Sequence, residues 1–205
     1  MSIVESKRGI TAVITLTEGV KGLIFDCDGT LADTMPIHLA AWSATFAARS
    51  ISCPPGFIEQ VTGMPAERIV AEFNRRYNHR IDARAFAIEK NRRAHLRLAE
   101  ALPIQPVVDI VLRYRDLLPM AVASGGTRDN VLLTLDAIGL ADVFLTVITA
   151  DDPVEPKPDP QIFLDAARRM GVEPAYCQVF EDGAPGLEAA CRAGMVATDV
   201  RAFIH

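Results

Sequence analysis

Asp26 and Asp28 stand two positions apart in Leu23-Ile24-Phe25-Asp26-Cys27-Asp28-Gly29-Thr30-Leu31, where an apolar run breaks into two carboxylates, a glycine and a hydroxyl. The uncharged residues from Gly22 to Phe25 suit a parallel strand covered on both faces. Such strands present ligands at their carboxyl ends, which is where Asp26 falls. Two ionised carboxylates this close repel each other unless a cation, a shared proton or a chemical task offsets the cost, and a magnesium ion would offset it. A bare Asp-x-Asp-Gly also fits an ordinary turn with Asp26 exposed at a strand end.

Three further strand ends carry polar residues on what the alternation of elements predicts to be the same sheet edge. Met120 to Ala123 runs into Ser124-Gly125-Gly126-Thr127, a hydroxyl with glycine-freed N–H groups before a helix start, which suits phosphate oxygens and equally suits a serine N-cap on a glycine turn. Lys157 lies in Glu155-Pro156-Lys157-Pro158-Asp159-Pro160. Prolines on both sides stiffen that loop and would aim the long cation with little entropy left to lose, although a solvated lysine is the plainer alternative. Val179-Phe180 ends in Glu181-Asp182-Gly183, a second acidic pair or a plain turn. The four together are hard to ascribe to coincidence.

The elements that must hold these residues read as an α/β fold. Residues Met35 to Ala101 are patterned as helices, with Ile37, Ala40, Ala41, Ala44 and Ala48, then Ile69, Ala71 and Phe73, then a stretch from Ala83 to Leu102. Beyond Pro103 strands alternate with helices, and Met120 to Ala123, Val143 to Thr149, Gln178 to Phe180 and Met195 to Val200 are the strand candidates. A mostly parallel Rossmann-like sheet with flanking helices follows, interrupted after its first strand by a small all-helical insert. The division expected is a core of residues 1–33 and 102–205 with an insert at 34–101. Ile10 to Leu16 reads as an added strand or a loose extension.

Composition narrows the function. With a net charge of −5 and mixed signs there is no nucleic-acid footprint, and no apolar run approaches the roughly 20 residues that a membrane span needs. Cys27, Cys53, Cys177 and Cys191 are scattered without metal-type spacing, as in a reduced, cytoplasmic protein. No unaccounted amphipathic surface is evident, so a monomer is expected.

In their order and wording the four motifs resemble those of the haloacid dehalogenase-like hydrolases. The insert, with Asp28-Gly29-Thr30-Leu31-Ala32-Asp33-Thr34 and Lys157-Pro158, resembles the β-phosphoglucomutase-like branch, and within it the bacterial fructose-1-phosphate phosphatases. The resemblance implies that Asp26 is a nucleophile forming an aspartyl-phosphate and Asp28 an acid that later serves as base. It implies a magnesium ion held by Asp26, the Asp28 carbonyl and Asp182, with Glu181 closing or supporting the shell. Ser124, the Gly125 N–H and Lys157 would steady the phosphoryl oxygens. The insert would be a cap that chooses a small phosphorylated sugar through His38, Trp42, Thr62, Gly63, Met64, Lys90 and Asn91. His38 and Trp42, at i and i+4, also fit simple packing of the cap, and Arg92, Arg93 and Arg97 fit a solvated face.

A sugar phosphomutase shares these motifs but must grip a second phosphate. The family's two additional cations fall at Ala66 and Thr127 here, with Arg68 and Arg128 as possible substitutes. The expectation is therefore a phosphatase, with the mutase as the alternative. A catalytically silent binding module is remoter, since nucleophile, acid, lysine and metal pair are all present. A haloalkanoate dehalogenase is also remote, because displacing halide needs no leaving-group acid.

Overall fold

The computed structural model describes residues 14–144 and 146–204. Five parallel strands form the main sheet: β1 (Gly22–Phe25), β4 (Met120–Ala123), β5 (Thr146–Ile148), β6 (Cys177–Glu181) and β7 (Val196–Asp199), in the order β5-β4-β1-β6-β7. β1 is central, with Ile24 level with Ala121 on one side and Val179 on the other. The chain builds outward from β1 through β4 to β5, then returns to β6 and β7. That reversal opens a crevice at the carboxyl ends of β1, β4 and β6.

Every residue of β1, β4 and β6 is buried, which explains why they carry no charge apart from Glu181 at the carboxyl end of β6. The period of two sends Leu23 and Phe25 to one face and Ile24 to the other. Phe25, Val122 and Phe180 pack with helices α5 (Gln105–Tyr114) and α6 (Arg128–Ala137), while Ile24, Ala121, Ile148 and Val179 pack with α7 (Gln161–Met170) and α8 (Ala184–Arg192). The Phe25 and Phe180 rings stack 4.8 Å apart directly beneath the two acidic strand ends.

Between β1 and α5 lie four helices, α1 (Met35–Ala48), α2 (Phe57–Gln60), α3 (Ala66–Tyr77) and α4 (Ala83–Leu98). Their own apolar cluster contains Trp42, Phe46, Phe57, Phe73 and Phe86, with Phe46 centred 4.9 Å from Phe73 and 4.8 Å from Phe86. The lower ends of α1 and α4 instead supply Ile37, Ala41, Ala94 and Leu98 to the sheet-facing cluster. The insert thus rests on the sheet layer while holding a core of its own.

Three details differ from the reading of the sequence. A two-stranded antiparallel ribbon, β2 (Ala32–Asp33) with β3 (Leu102–Pro103), closes the neck of the insert, so Leu102 ends in a strand and α4 stops at Leu98. Two-residue strands are too short to show a period. The β5 strand is confined to Thr146–Ile148, shorter than Val143 to Thr149, because residues Leu140–Phe144 turn at the end of α6. Of the proposed Ile10–Leu16 strand, residues 10–13 lie outside the described residues and Ile14 to Leu16 join no sheet. There Gln178, buried in β6, donates to the Thr15 carbonyl and accepts from the Thr17 N–H, a side-chain tether in place of a ladder. No helix among the described residues is long and apolar enough to cross a membrane.

Candidate active site

Asp26 emerges from β1 with its N–H bonded to the Phe180 carbonyl, so its backbone continues the sheet while its side chain enters the crevice. Lys157 reaches it from the loop before α7: Nζ lies 2.6 Å from Asp26 Oδ1 and 2.6 Å from Glu181 Oε1. Lys157 and Glu181 are each only 1% exposed and Asp26 4%, so these charges interact with little solvent screening. Burial opposes the lysine's charge, but the two carboxylates hold it protonated well above the ordinary lysine range.

The acids outnumber this cation. Asp26, Glu181 and Asp182 offer carboxylate oxygens all within 4.8 Å of one another. Burial pushes Asp26 well above its ordinary value against the pull of Lys157, and repulsion from Glu181 and Asp182 adds to the rise. Asp182 is pushed up to about 6 by burial and by Glu181. Uncompensated negative charge among hard oxygen donors is what a magnesium-type divalent cation would neutralise, so the residues fit such an ion.

The two outer acids differ in what they already hold. Glu181 is committed on both oxygens, Oε1 to Lys157 and Oε2 to the Gly183 N–H at 2.7 Å. It is better placed to fix Lys157 and the start of α8 than to supply a free ligand atom. A Cβ on Gly186 would overlap its carboxylate, so the first turn of α8 needs glycine there. Asp182 accepts one bond from Thr30 Oγ1 at 3.2 Å and lies against Gly29, whose φ of +84° lets the chain double back.

Asp28 has a separate environment. Its Oδ1 accepts from Thr34 Oγ1 at 2.7 Å and lies 3.0 Å from His38 Nε2, while His38 Nδ1 is 2.9 Å from Lys90 Nζ. A lysine ammonium only donates, so Nδ1 must accept and His38 carries its proton on Nε2, directed at Asp28. Burial works against ionisation of Asp28, yet His38, Thr34 and Lys90 together hold its carboxyl well below the usual range. Lys90 is brought down to about 8 by burial, with Asp28 pulling the other way, and sits 5.2 Å from the centre of the Trp42 ring. The adjacent carboxylates of Asp-x-Asp therefore live in opposite electrostatic settings.

Ser124, buried at the end of β4, accepts the Gly126 N–H at 3.0 Å and retains its own hydroxyl proton for an anion. The helix behind it begins at Arg128 with Thr127 as N-cap, so the serine does not cap it. The insert meets this loop closely. A Cβ on Gly125 would lie 2.7 Å from the Gly63 carbonyl oxygen, and one on Gly183 would lie 3.4 Å from that of Thr62. The cavity here, of about 80 Å³, is bounded by Asp26, Asp28, His38, Trp42, Lys90 and Ser124, and by Thr62, Gly63, Gly125 and Asn91 around them.

All the residues singled out from the sequence thus gather at one crevice: Asp26, Asp28, His38, Trp42, Thr62, Gly63, Lys90, Ser124, Gly125, Lys157, Glu181 and Asp182. Thr30 and Thr34 were missed, although both belong to the Asp28-Gly29-Thr30-Leu31-Ala32-Asp33-Thr34 segment and a hydroxyl beside paired acids was the available signal. Arg92 and Arg93 are exposed, as expected of a solvated face, and Arg93 and Arg97 pair with Glu89 and Glu100.

A haloacid dehalogenase-like hydrolase family model matches residues 20–194. The fructose-1-phosphate phosphatase YqaB of Escherichia coli is 36% identical over 184 residues, 90% of this chain and 98% of that protein. The β-phosphoglucomutase of Bacillus subtilis is 26% identical over 189 residues, covering 88% of this chain and 83% of its own. The structure of CbbY from Rhodobacter sphaeroides in complex with phosphate superposes with a TM-score of 0.76 at 26% identity, covering 87% of this chain and 84% of that one. With its Asp26-bearing strand, serine loop, lysine and acidic pair in one crevice, the chain belongs to the haloacid dehalogenase-like hydrolases.

Proposed function

We propose that this hydrolase is a magnesium-dependent phosphatase of small sugar phosphates, of the fructose 1-phosphate or 6-phosphogluconate type, that carries the phosphoryl group on Asp26. The observation that carries the reading is the split between the two aspartates. Asp26 is locked to the buried Lys157 and faces the acidic pair, while Asp28 turns toward the insert, held by Thr34 and His38. One is positioned to attack phosphorus and the other to meet the departing alcohol.

Asp26 Oδ forms the bond to phosphorus as the ester P–O bond breaks, and Asp28 gives its proton to the departing sugar oxygen. Water then attacks the aspartyl-phosphate, Asp28 takes its proton back, and phosphate leaves with Asp26 restored. Asp28 is ionised in the present geometry, so it must gain a proton before the first step. The Lys90–His38 chain offers a route, with Lys90 donating to Nδ1 and Nε2 releasing to Asp28. Lys157 and Ser124 stabilise phosphoryl oxygens, and Glu181 keeps Lys157 aimed. Asp26, the Asp28 carbonyl and Asp182 would hold magnesium, which when bound relieves carboxylate–phosphate repulsion. Residues 34–101 act as the cap and 1–33 with 102–205 as the core.

What supports a phosphatase over a mutase is the placement of Arg68 and Arg128, the two candidates to replace the cations absent at Ala66 and Thr127. Arg68 pairs with Glu155 at 3.3 Å and lines a groove outside the cavity, Arg128 pairs with Asp152 at 2.8 Å, and neither borders the cavity beside Asp28.

The test is phosphate release from fructose 1-phosphate, 6-phosphogluconate, β-glucose 1-phosphate and glucose 6-phosphate, with Asp26→Asn as control. Release that EDTA abolishes and magnesium restores is expected, with turnover lowered at least roughly 10³-fold in the variant. Substantial turnover by Asp26→Asn would overturn the covalent route. Formation of glucose 6-phosphate from β-glucose 1-phosphate without net phosphate release would give the site to a mutase.

A further inference from the structure

The departing oxygen must meet Asp28, so the alcohol of the substrate enters the cavity that Asp28 lines. That cavity measures about 80 Å³. A far wider groove, of about 620 Å³, adjoins it along the seam between the insert and the sheet edge. The two share Ala66, Asn91, Ser124 and Gly125, so both open on the phosphate-holding loop. The insert residues that border both, Ala66 and Asn91, have short side chains.

We propose that this lateral groove is a subsite for a second sugar ring, so that the enzyme accepts phosphomonoesters of disaccharides or other glycosides. The inference rests on the phosphatase reading and goes beyond it in naming substrate size. Beyond Lys157, which belongs to the phosphate end, the charged groups lining the groove are Arg68 and Arg84 with Glu67 and Asp151, donors and acceptors of balanced sign that match uncharged hydroxyls. Ile88 of α4, which is 60% exposed, and Val154 opposite give apolar surface for the C–H face of a pyranose. Ala66 borders both cavity and groove with no more than a methyl group.

The test uses a matched pair, glucose 6-phosphate and α,α-trehalose 6-phosphate, which share the phosphate linkage and differ by one ring, with fructose 1-phosphate as reference. In wild type, kcat/KM for the two-ring ester should equal or exceed that for the one-ring ester. Ile88→Trp, which fills the groove from an exposed position, should lower the two-ring to one-ring ratio at least tenfold, and Ala66→Phe, which places a ring where cavity and groove meet, should do the same. A wild-type preference of tenfold or more for glucose 6-phosphate, or a ratio unchanged in both variants, overturns the subsite. Hydrolysis of fructose 1-phosphate alone overturns the subsite and leaves the phosphatase standing. Release from none of the three overturns both.

Discussion

Asp182→Asn should change the stability of this protein with opposite signs depending on whether the cation is bound. Asp182 is driven from its ordinary value of 3.8 to about 6, first by burial and then by Glu181. An acid with a raised folded-state pKa binds its proton more tightly in the native protein than in the unfolded chain. Stability is therefore undiminished below about pH 4, is lost as pH rises from 3.8 to about 6, and carries the full cost above that. Two pKa units at about 1.4 kcal/mol each give a cost of about 3 kcal/mol, discounted to about 2 kcal/mol because the carboxylate is partly exposed. Asparagine is isosteric, keeps an oxygen for Thr30 and fits against Gly29, so the substitution removes charge with little change in packing. In EDTA at pH 8 the variant should melt roughly 4–8 °C above wild type, and at pH 4 the two should coincide. With saturating magnesium the order should reverse, because the wild-type carboxylate then has a cation to bind and the amide does not. The assay is thermal unfolding by circular dichroism at both pH values, with and without magnesium. A variant less stable than wild type in EDTA at pH 8, or a gain unaffected by magnesium, would refute both the electrostatic reasoning and the assignment of Asp182 to the cation.

Two further outcomes follow from the same geometry. Gly186→Ala should displace the Glu181 carboxylate from Lys157 and from the Gly183 N–H; losing a charge-assisted hydrogen bond of about 1.5–3 kcal/mol should lower kcat roughly 10–100-fold while circular dichroism stays native. Wild-type kcat in this variant would remove Glu181 from the positioning of Lys157. Lys90, brought down to about 8 by burial, loses its charge as pH rises through that value, so KM for an anionic substrate should climb there. Lys90→Gln should have a higher KM throughout and no such limb in its pH profile, and a limb that persists in the variant belongs to another group.

Much of the core was legible because its chemistry sits at strand ends. An apolar run that stops at Asp26, Ser124 or Glu181 announces both a buried strand and the residue it presents, and the order of such runs implies a parallel sheet. The cap loop was harder to read, and the contact of Thr62 and Gly63 with Gly183 and Gly125 came from the meeting of insert and sheet edge.

The sequence by itself determined the residue types, the strands that carry them and the sheet edge on which they must appear, since hydrophobic period and turn residues are local properties. The tertiary structure decided the partnerships. Lys157 and Asp26 lie 131 positions apart and meet only because β1 pairs with β6 and the loop before α7 reaches across both. The engagement of Glu181 by Lys157 and Gly183, the hold of Thr34 and His38 on Asp28, and the groove beside Ala66 have the same origin. Each depends on distances between elements, which strand order and helix packing set and no single stretch of sequence contains.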